Sequence, residues 1–209
     1  MIIELIQGEG DLFNILTVIL RAIYSFASLA AAGLVLTLAV LAGQLTPEES
    51  RAARRWLLAF VLIGMVASLA AWPVRAIVLA KGIDGLWRWD FYPLVARSRI
   101  GDAFFLRMSG LTLALFGLWR SGAGVALAAI GAAMIAASYV AMGHSTLYRP
   151  RQELAALIGL HLFALSFWIG GLFALGPITQ RRDQRSAAQA ITIWSRAAMI
   201  AVAIMIATG

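Results

Sequence analysis

The sequence contains no cysteine. This absence excludes disulfides, thiol redox chemistry and any copper or zinc site that depends on thiolate ligands. Metal ligands must then come from histidine, methionine or carboxylate side chains, and the chain has only two histidines. Charged residues are also scarce. They make up 13% of the chain, whereas roughly 25% is usual for a soluble domain.

The hydrophobic content indicates a membrane protein. Hydrophobic residues make up 62% of the 209 residues, and the mean hydropathy is +0.87. The long apolar runs exclude a soluble fold. The net charge of +7 does not indicate nucleic-acid binding, because the arginines stand between apolar segments, where basic residues set topology and contact lipid head groups. The lipid bilayer is therefore the first expected partner.

Six membrane-spanning segments are predicted from the apolar runs. The sequence from Thr46 to Glu49 is a helix-start signature, with Thr46 as the cap. Residues 80–101 mix aromatic and basic side chains, which is typical of a segment in the head-group layer. We therefore predict one all-helical transmembrane domain over residues 1–209 with a periplasmic interfacial loop at 80–101. The predicted helices cover residues 12–42, 56–79, 102–118, 124–142, 151–178 and 188–208.

The basic residues also indicate an orientation. With a periplasmic N-terminus, the inner loops carry slightly more Lys and Arg than the outer loops, as expected for cytoplasmic loops. The first apolar run is too long for a cleavable signal and lacks a basic leader, so the first helix is expected to act as an uncleaved insertion signal. Both histidines then lie toward the outer side. Arg107, inside the third segment, is expected to point toward the interface or another helix.

His161 is the first candidate functional residue. At ~1.5 Å per residue it lies roughly 15 Å into the fifth segment, and an ionisable side chain at that depth marks a functional site by default. Reduced copper prefers thioether and imidazole ligands. Met142, His144 and His161 therefore form the obvious candidate metal site, with Met134 two turns deeper on a similar face. Ligands at different depths suit a metal that moves inward between sites.

Each of these residues also has a simpler explanation. His161 could be a hydrogen-bonded polar residue that joins two helices, and His144 an ordinary helix-end histidine. Methionine commonly fills gaps in apolar helices. Trp168 shares the helix face of His161 and is expected to pack beside it, while the Gly170-Gly171 pair lets a neighbouring helix approach. Spacing alone leaves both the metal-binding and the structural interpretation open.

A weak internal repeat relates the first and fifth segments. Each is followed by a basic loop and a further helix. The repeat predicts two parallel halves of four helices each, and so an eight-helix bundle, with two further helices expected after residue 209. The register of the repeat places Tyr24 on His161, Ala27 on Ala164 and Gly33 on Gly170.

Three stretches resemble the membrane core of the CopD copper-resistance family. The resemblance runs from the first helix to the last residues. It implies a bacterial inner-membrane protein associated with copper uptake or tolerance and with a periplasmic copper carrier protein. The matching histidines, His144 and His161, are then candidate copper ligands. The stretches are Gly143-His144, the pattern from His161 through Trp168 to Gly170-Gly171, and the segment from Gly101 to Arg107.

The leading hypothesis is a copper-binding membrane protein, not an enzyme, that moves copper as Cu(I) from the periplasm across the inner membrane. His161 is the central ligand, His144 the entrance ligand and Met142 an auxiliary ligand. The sequence has no P-loop, which argues against ATP-driven pumping. One alternative is a membrane electron carrier or oxidoreductase that holds haem through His144 and His161. A third is a metal-free scaffold. The sequence leaves the direction of movement and the oligomeric state open.

Overall fold

The computed structural model describes residues 2–119, 122–142 and 151–209, with side chains from residue 12 onward except residue 151. These ranges contain helices and connections and no strand. Two 3-10 turns, Ile83–Trp87 and Leu115–Leu118, accompany the helices. The seven α-helices are α1 (Ile2–Val40), α2 (Pro47–Ala80), α3 (Phe91–Ala96), α4 (Arg99–Ala114), α5 (Gly122–Met142), α6 (Arg151–Ile178) and α7 (Gln184–Thr208).

Six of the described helical stretches are long and apolar enough to cross a bilayer. They correspond one to one with the six segments predicted from hydropathy, so the prediction of an all-α polytopic membrane protein is confirmed. The spans belong to α1, α2, α4 with its following 3-10 turn, α5, α6 and α7. Helices satisfy every internal backbone hydrogen bond within one segment, which is what hydrocarbon surroundings require.

Side-chain caps explain where α2 and α4 begin. Thr46 accepts a hydrogen bond from the Glu49 amide, and the Glu49 carboxylate accepts one from the Thr46 amide, which is a complete capping box. Helix α2 therefore starts at Pro47, well before the apolar run at Trp56. Ser98 caps α4 by a single hydrogen bond, which its hydroxyl accepts from the Ile100 amide, and α4 therefore starts at Arg99 instead of the expected residue 102. Polar caps thus extend these helices beyond their apolar cores.

The connection from Lys81 to Ser98 lies outside the described membrane spans. Its two tryptophans are largely exposed, with Trp87 at 72% and Trp89 at 73%. Arg88 lies over the Phe91 ring at 4.3 Å and donates a 3.0 Å hydrogen bond to Asp90, which lowers the pKa of that carboxyl. Exposed tryptophans among charged residues are typical of segments in the head-group layer, and that location stays a prediction for this connection.

Helix α1 is the centre of the bundle. It packs against α2, α4, α5 and α6, and 61% of its apolar stretch is buried, compared with 22% for α7. The packing depends on small residues, as is usual where lipid offers no hydrophobic drive for helix association. A methyl group on Gly110 of α4 would lie 2.7 Å from the Gly131 carbonyl oxygen of α5. The backbones of α4 and α5 therefore touch at this point.

Helices α1 and α6 run in the same direction and meet at two glycines that the repeat register pairs. A methyl group on Gly33 would lie 2.8 Å from the Gly170 nitrogen, and one on Gly170 would lie 2.1 Å from the Gly33 carbonyl carbon. At their C-terminal ends, Arg181 donates a 2.7 Å hydrogen bond to the Gln44 carbonyl oxygen. Contact between equivalent residues of parallel helices is the arrangement of a pseudo-two-fold axis along the membrane normal.

Burial follows the same register. The register also aligns the two N-cap residues: Thr46, which precedes α2, corresponds to Asp183, which precedes α7. Every buried position that the structure describes in α6 and α7 falls on a buried position in α1, in α2 or at Leu41, directly after α1. In α7 the buried residues are Ala187, Ala190, Trp194, Ala198 and Ala201, and their partners in α2 are Ser50, Ala53, Leu57, Val61 and Gly64. The two helix pairs therefore bury equivalent faces.

Candidate functional site

His161 is held by the end of α7. It is half-buried in α6, and its Nδ1 atom lies 3.2 Å from the Thr208 hydroxyl oxygen. That hydroxyl donates its one hydrogen to the Ile204 carbonyl oxygen at 2.7 Å. Because the hydroxyl hydrogen is already used, Thr208 accepts from His161, and Nδ1 carries the imidazole proton. In the neutral form of the imidazole, this arrangement leaves the lone pair on Nε2.

The other residues that the sequence predicted near His161 have different surroundings from one another. Ala164 is buried one turn along α6, whereas Trp168 is 40% exposed. The aromatic residue that packs on α7 is Phe167, whose ring stacks on Trp194 with centroids 6.0 Å apart. A methyl group on Gly171 would lie 2.3 Å from the Trp194 indole nitrogen. Gly171 therefore gives space to α7, as Gly170 does to α1.

The two candidate methionines lie on α5. Both Met134 and Met142 are half-buried. A methyl group on Gly159 of α6 would lie 3.5 Å from Val140, so the end of α5 that carries Met142 packs beside the first turns of α6. Among the described helices, α6 contacts both α5 and α7, whereas α5 and α7 barely contact each other. Met142 and Thr208 therefore lie on two helices that each pack against α6 and have little contact with each other.

The predicted entrance ligand, His144, lies outside the described residues. Within the described residues, no group of three or more His, Cys, Asp or Glu side chains could hold a metal ion. The observed arrangement is thus one oriented, half-buried imidazole between α6 and α7, without a closed ligand cage in the part of the chain that the structure describes. An open imidazole suits transient binding better than a permanent structural metal.

A second polar cluster, which sequence reasoning did not assemble, surrounds Arg107 about two turns into α4. Arg107 is 3% exposed, and its guanidinium carbon lies 4.0 Å from the Tyr24 ring centroid and 5.6 Å from that of Tyr139. The Tyr139 hydroxyl lies 2.6 Å from the hydroxyl of Ser28. We call these four residues the Arg107 cluster. The feature of the sequence that pointed to this cluster was Arg107 itself, a charged residue within a predicted membrane span.

A third polar cluster joins helices near the start of α7, at the end opposite to Thr208. Glu49 accepts hydrogen bonds from Nε and Nη2 of Arg181, and both side chains are less than 10% exposed. The Glu49 hydrogen bond raises the pKa of Arg181 above its ordinary value. Arg54 donates to the carbonyl oxygens of Gly117, at 2.8 Å, and of Leu118. These contacts join α2 to the connection after α6 and to the turn after α4.

Six apolar spanning helices with internal polar clusters define a multi-pass membrane protein. The chain belongs to the copper resistance protein D-like family, because the model of the N-terminal domain of that family matches residues 11–149. No curated protein and no solved structure matches the chain. The matched range contains the Arg107 cluster, Met142 and His144, and it ends before His161.

Proposed function

We propose that this protein binds copper as Cu(I) and moves it inward from the periplasmic side of the bacterial inner membrane, as a transport protein rather than an enzyme. The observation that carries the proposal is His161, an intramembrane imidazole whose Nδ1–H is held by Thr208 and whose Nε2 lone pair is left for a metal. Membership of the copper resistance family supplies the identity of the metal.

The Thr208 hydrogen bond is what makes His161 a suitable ligand. Metal-ligating histidines usually donate their second ring N–H to an oxygen acceptor, which fixes the tautomer and raises the basicity of the ligating nitrogen. Neutral imidazole is also a ligand type that suits reduced copper in a chain without cysteine. Under this proposal copper is the cargo, so a site with few ligands allows it to leave again.

Entry from the periplasmic side is proposed through His144 and Met142, which precede His161 along the hairpin of α5 and α6. The proposal includes a periplasmic N-terminus and a periplasmic copper carrier protein as the donor. Met142 is half-buried at the end of α5, where a thioether remains accessible to an incoming ion. Met134 lies two turns deeper on the same helix as a further soft ligand.

The position of Arg107 favours a route near α6 and α7. The guanidinium of Arg107 is buried among α1, α4 and α5. A fixed positive charge in surroundings of low dielectric constant repels a cation far more strongly than it does in water. A copper ion therefore meets less opposition beside His161, where the neighbouring side chain on α7 is the neutral Thr208.

Substituting His161 tests the proposal. We expect purified wild-type protein to retain Cu(I) and His161→Ala to lose most of it, because the oriented imidazole is removed. The measurement is metal content together with the visible spectrum, with copper-dependent growth as the cellular readout. Leu160→Ala, at a 45% exposed position beside His161, is the matched control and should bind like the wild type. Unchanged copper in His161→Ala, or a haem Soret band in the wild type, would overturn the proposal.

Substituting Thr208 tests the orientation of the imidazole. Thr208→Val keeps the shape of the side chain and removes the acceptor of Nδ1–H, so Cu(I) affinity should fall by about 10–100-fold. Competition with a chromogenic Cu(I) chelator measures the change. Thr192→Val is the matched control, because Thr192 is exposed on the same helix and its hydroxyl donates to Ala188 at 2.7 Å. Equal affinities in the two variants would contradict the role of Thr208.

A further inference from the structure

Arg107 carries a buried positive charge whose hydrogen-bonding capacity is not used within the described residues. Its Nε and Nη1 atoms and the Tyr24 hydroxyl are buried and have no hydrogen-bond partner there. A guanidinium has five N–H donors and no acceptor. Other buried polar atoms without a partner belong to neutral side chains, so Arg107 combines an unmet charge with unmet donors.

The surroundings of Arg107 supply aromatic faces but no negative charge. The Tyr24 and Tyr139 rings attract the guanidinium through their π-systems, which compensates only part of the lost hydration. Asp102 lies on the same helix but is exposed at its first turn. The ion pairs among the described residues join other arginines, Arg88 and Arg181, to their carboxylates. Within the described part of the chain, Arg107 thus has no anionic partner.

We propose that the Arg107 cluster binds a small monovalent anion of the halide type between α1, α4 and α5. Such an ion supplies the missing negative charge and accepts hydrogen bonds from Nε and Nη1 of Arg107 and from the Tyr24 hydroxyl. The tight enclosure of these atoms favours a small anion over a phosphate or a sulfate. This inference concerns a different ligand and different helices from the copper proposal, and it stands without that proposal.

The anion should stabilise the folded protein. We expect the melting temperature of the purified full chain to rise with chloride in a saturable manner, when chloride replaces gluconate at constant ionic strength. At a chloride concentration roughly ten times Kd, the increase should be about 3–6 °C. Tryptophan fluorescence in detergent, without added copper, follows the unfolding. No saturable difference between chloride and gluconate in the wild type would overturn the proposal.

Two variants connect the effect to the Arg107 cluster. Arg107→Gln should abolish the chloride-dependent shift, and Tyr24→Phe should reduce it without lowering stability in gluconate, because the Tyr24 hydroxyl has no partner to lose. Tyr24→Phe therefore decides the matter even if Arg107→Gln does not fold. Arg196→Gln is the matched control, because Arg196 lies within α7 but is exposed. An unchanged shift in Tyr24→Phe, or a shift lost in Arg196→Gln, would overturn the assignment.

Discussion

Gly170→Ala is expected to cause a large loss of stability through a single added methyl group. The added Cβ atom would lie 2.1 Å from the Gly33 carbonyl carbon and 2.2 Å from the Leu34 nitrogen. Both are backbone atoms of α1, so no side chain can rotate away, and α1 and α6 must separate. Overpacking of a core usually costs about 1–3 kcal/mol, and we expect at least the upper end of that range here.

The measurement is the unfolding midpoint of the purified protein in mixed micelles with increasing denaturing detergent. Gly176→Ala is the matched control, because Gly176 lies in the same helix and a methyl group there meets nothing within 4 Å. Alanine is the better helix former, so this control should be neutral or slightly more stable. Equal midpoints for Gly170→Ala and Gly176→Ala would show that α1 and α6 do not meet at these glycines.

A double variant refines the same prediction. Gly33→Ala should also destabilise, since its Cβ would lie 2.5 Å from the Ser166 carbonyl carbon. The two changes act on one contact, so the double variant should cost less than the sum of the single variants. Full additivity would instead indicate two independent contacts. The contact also agrees with the internal repeat, because Gly33 and Gly170, which meet where α1 crosses α6, occupy equivalent positions in the two helix pairs.

Hydropathy and capping signals predicted most of the fold. Each long apolar run became a spanning helix, because hydrocarbon leaves few other conformations for such a segment. The Thr46 signature likewise predicted the start of α2 at Pro47, which the capping box confirms. The internal repeat was visible in only three residue pairs, since most equivalent positions differ in identity while they agree in burial. Burial depends on tertiary packing, so the identity of a single residue predicts it poorly.

The neighbours of the polar residues were harder to predict. Helical spacing shows which residues share a face, but it does not show which helix that face meets. The contact of His161 with Thr208 joins residues far apart in the chain, and so do the contacts of Arg107 with Tyr24 and Tyr139. Spacing also favoured Trp168 as the packing aromatic, although Phe167 makes the stacked contact with α7. Tertiary packing decides each of these positions.

Glu49→Ala is expected to cause the second large loss of stability. It removes the carboxylate that accepts two hydrogen bonds from Arg181 and one from the Thr46 amide. A cation that is 9% exposed is then left without its counter-ion. Breaking a deeply buried pair costs about 3–5 kcal/mol. We expect about 2–3 kcal/mol here, because a pair at a helix end is within reach of head-group water, which screens the charge.

The Glu49 prediction is tested by the same detergent titration, with a double-mutant cycle. Arg181→Ala alone should also destabilise, and the double variant Glu49→Ala, Arg181→Ala should recover part of the loss, because no unpaired charge remains. Asp90→Ala removes the exposed partner of Arg88 and should leave the midpoint unchanged, since both side chains are at least 50% exposed. If Glu49→Ala behaved like Asp90→Ala, this pair would be a surface contact that does not fasten the connection between α6 and α7 to α2.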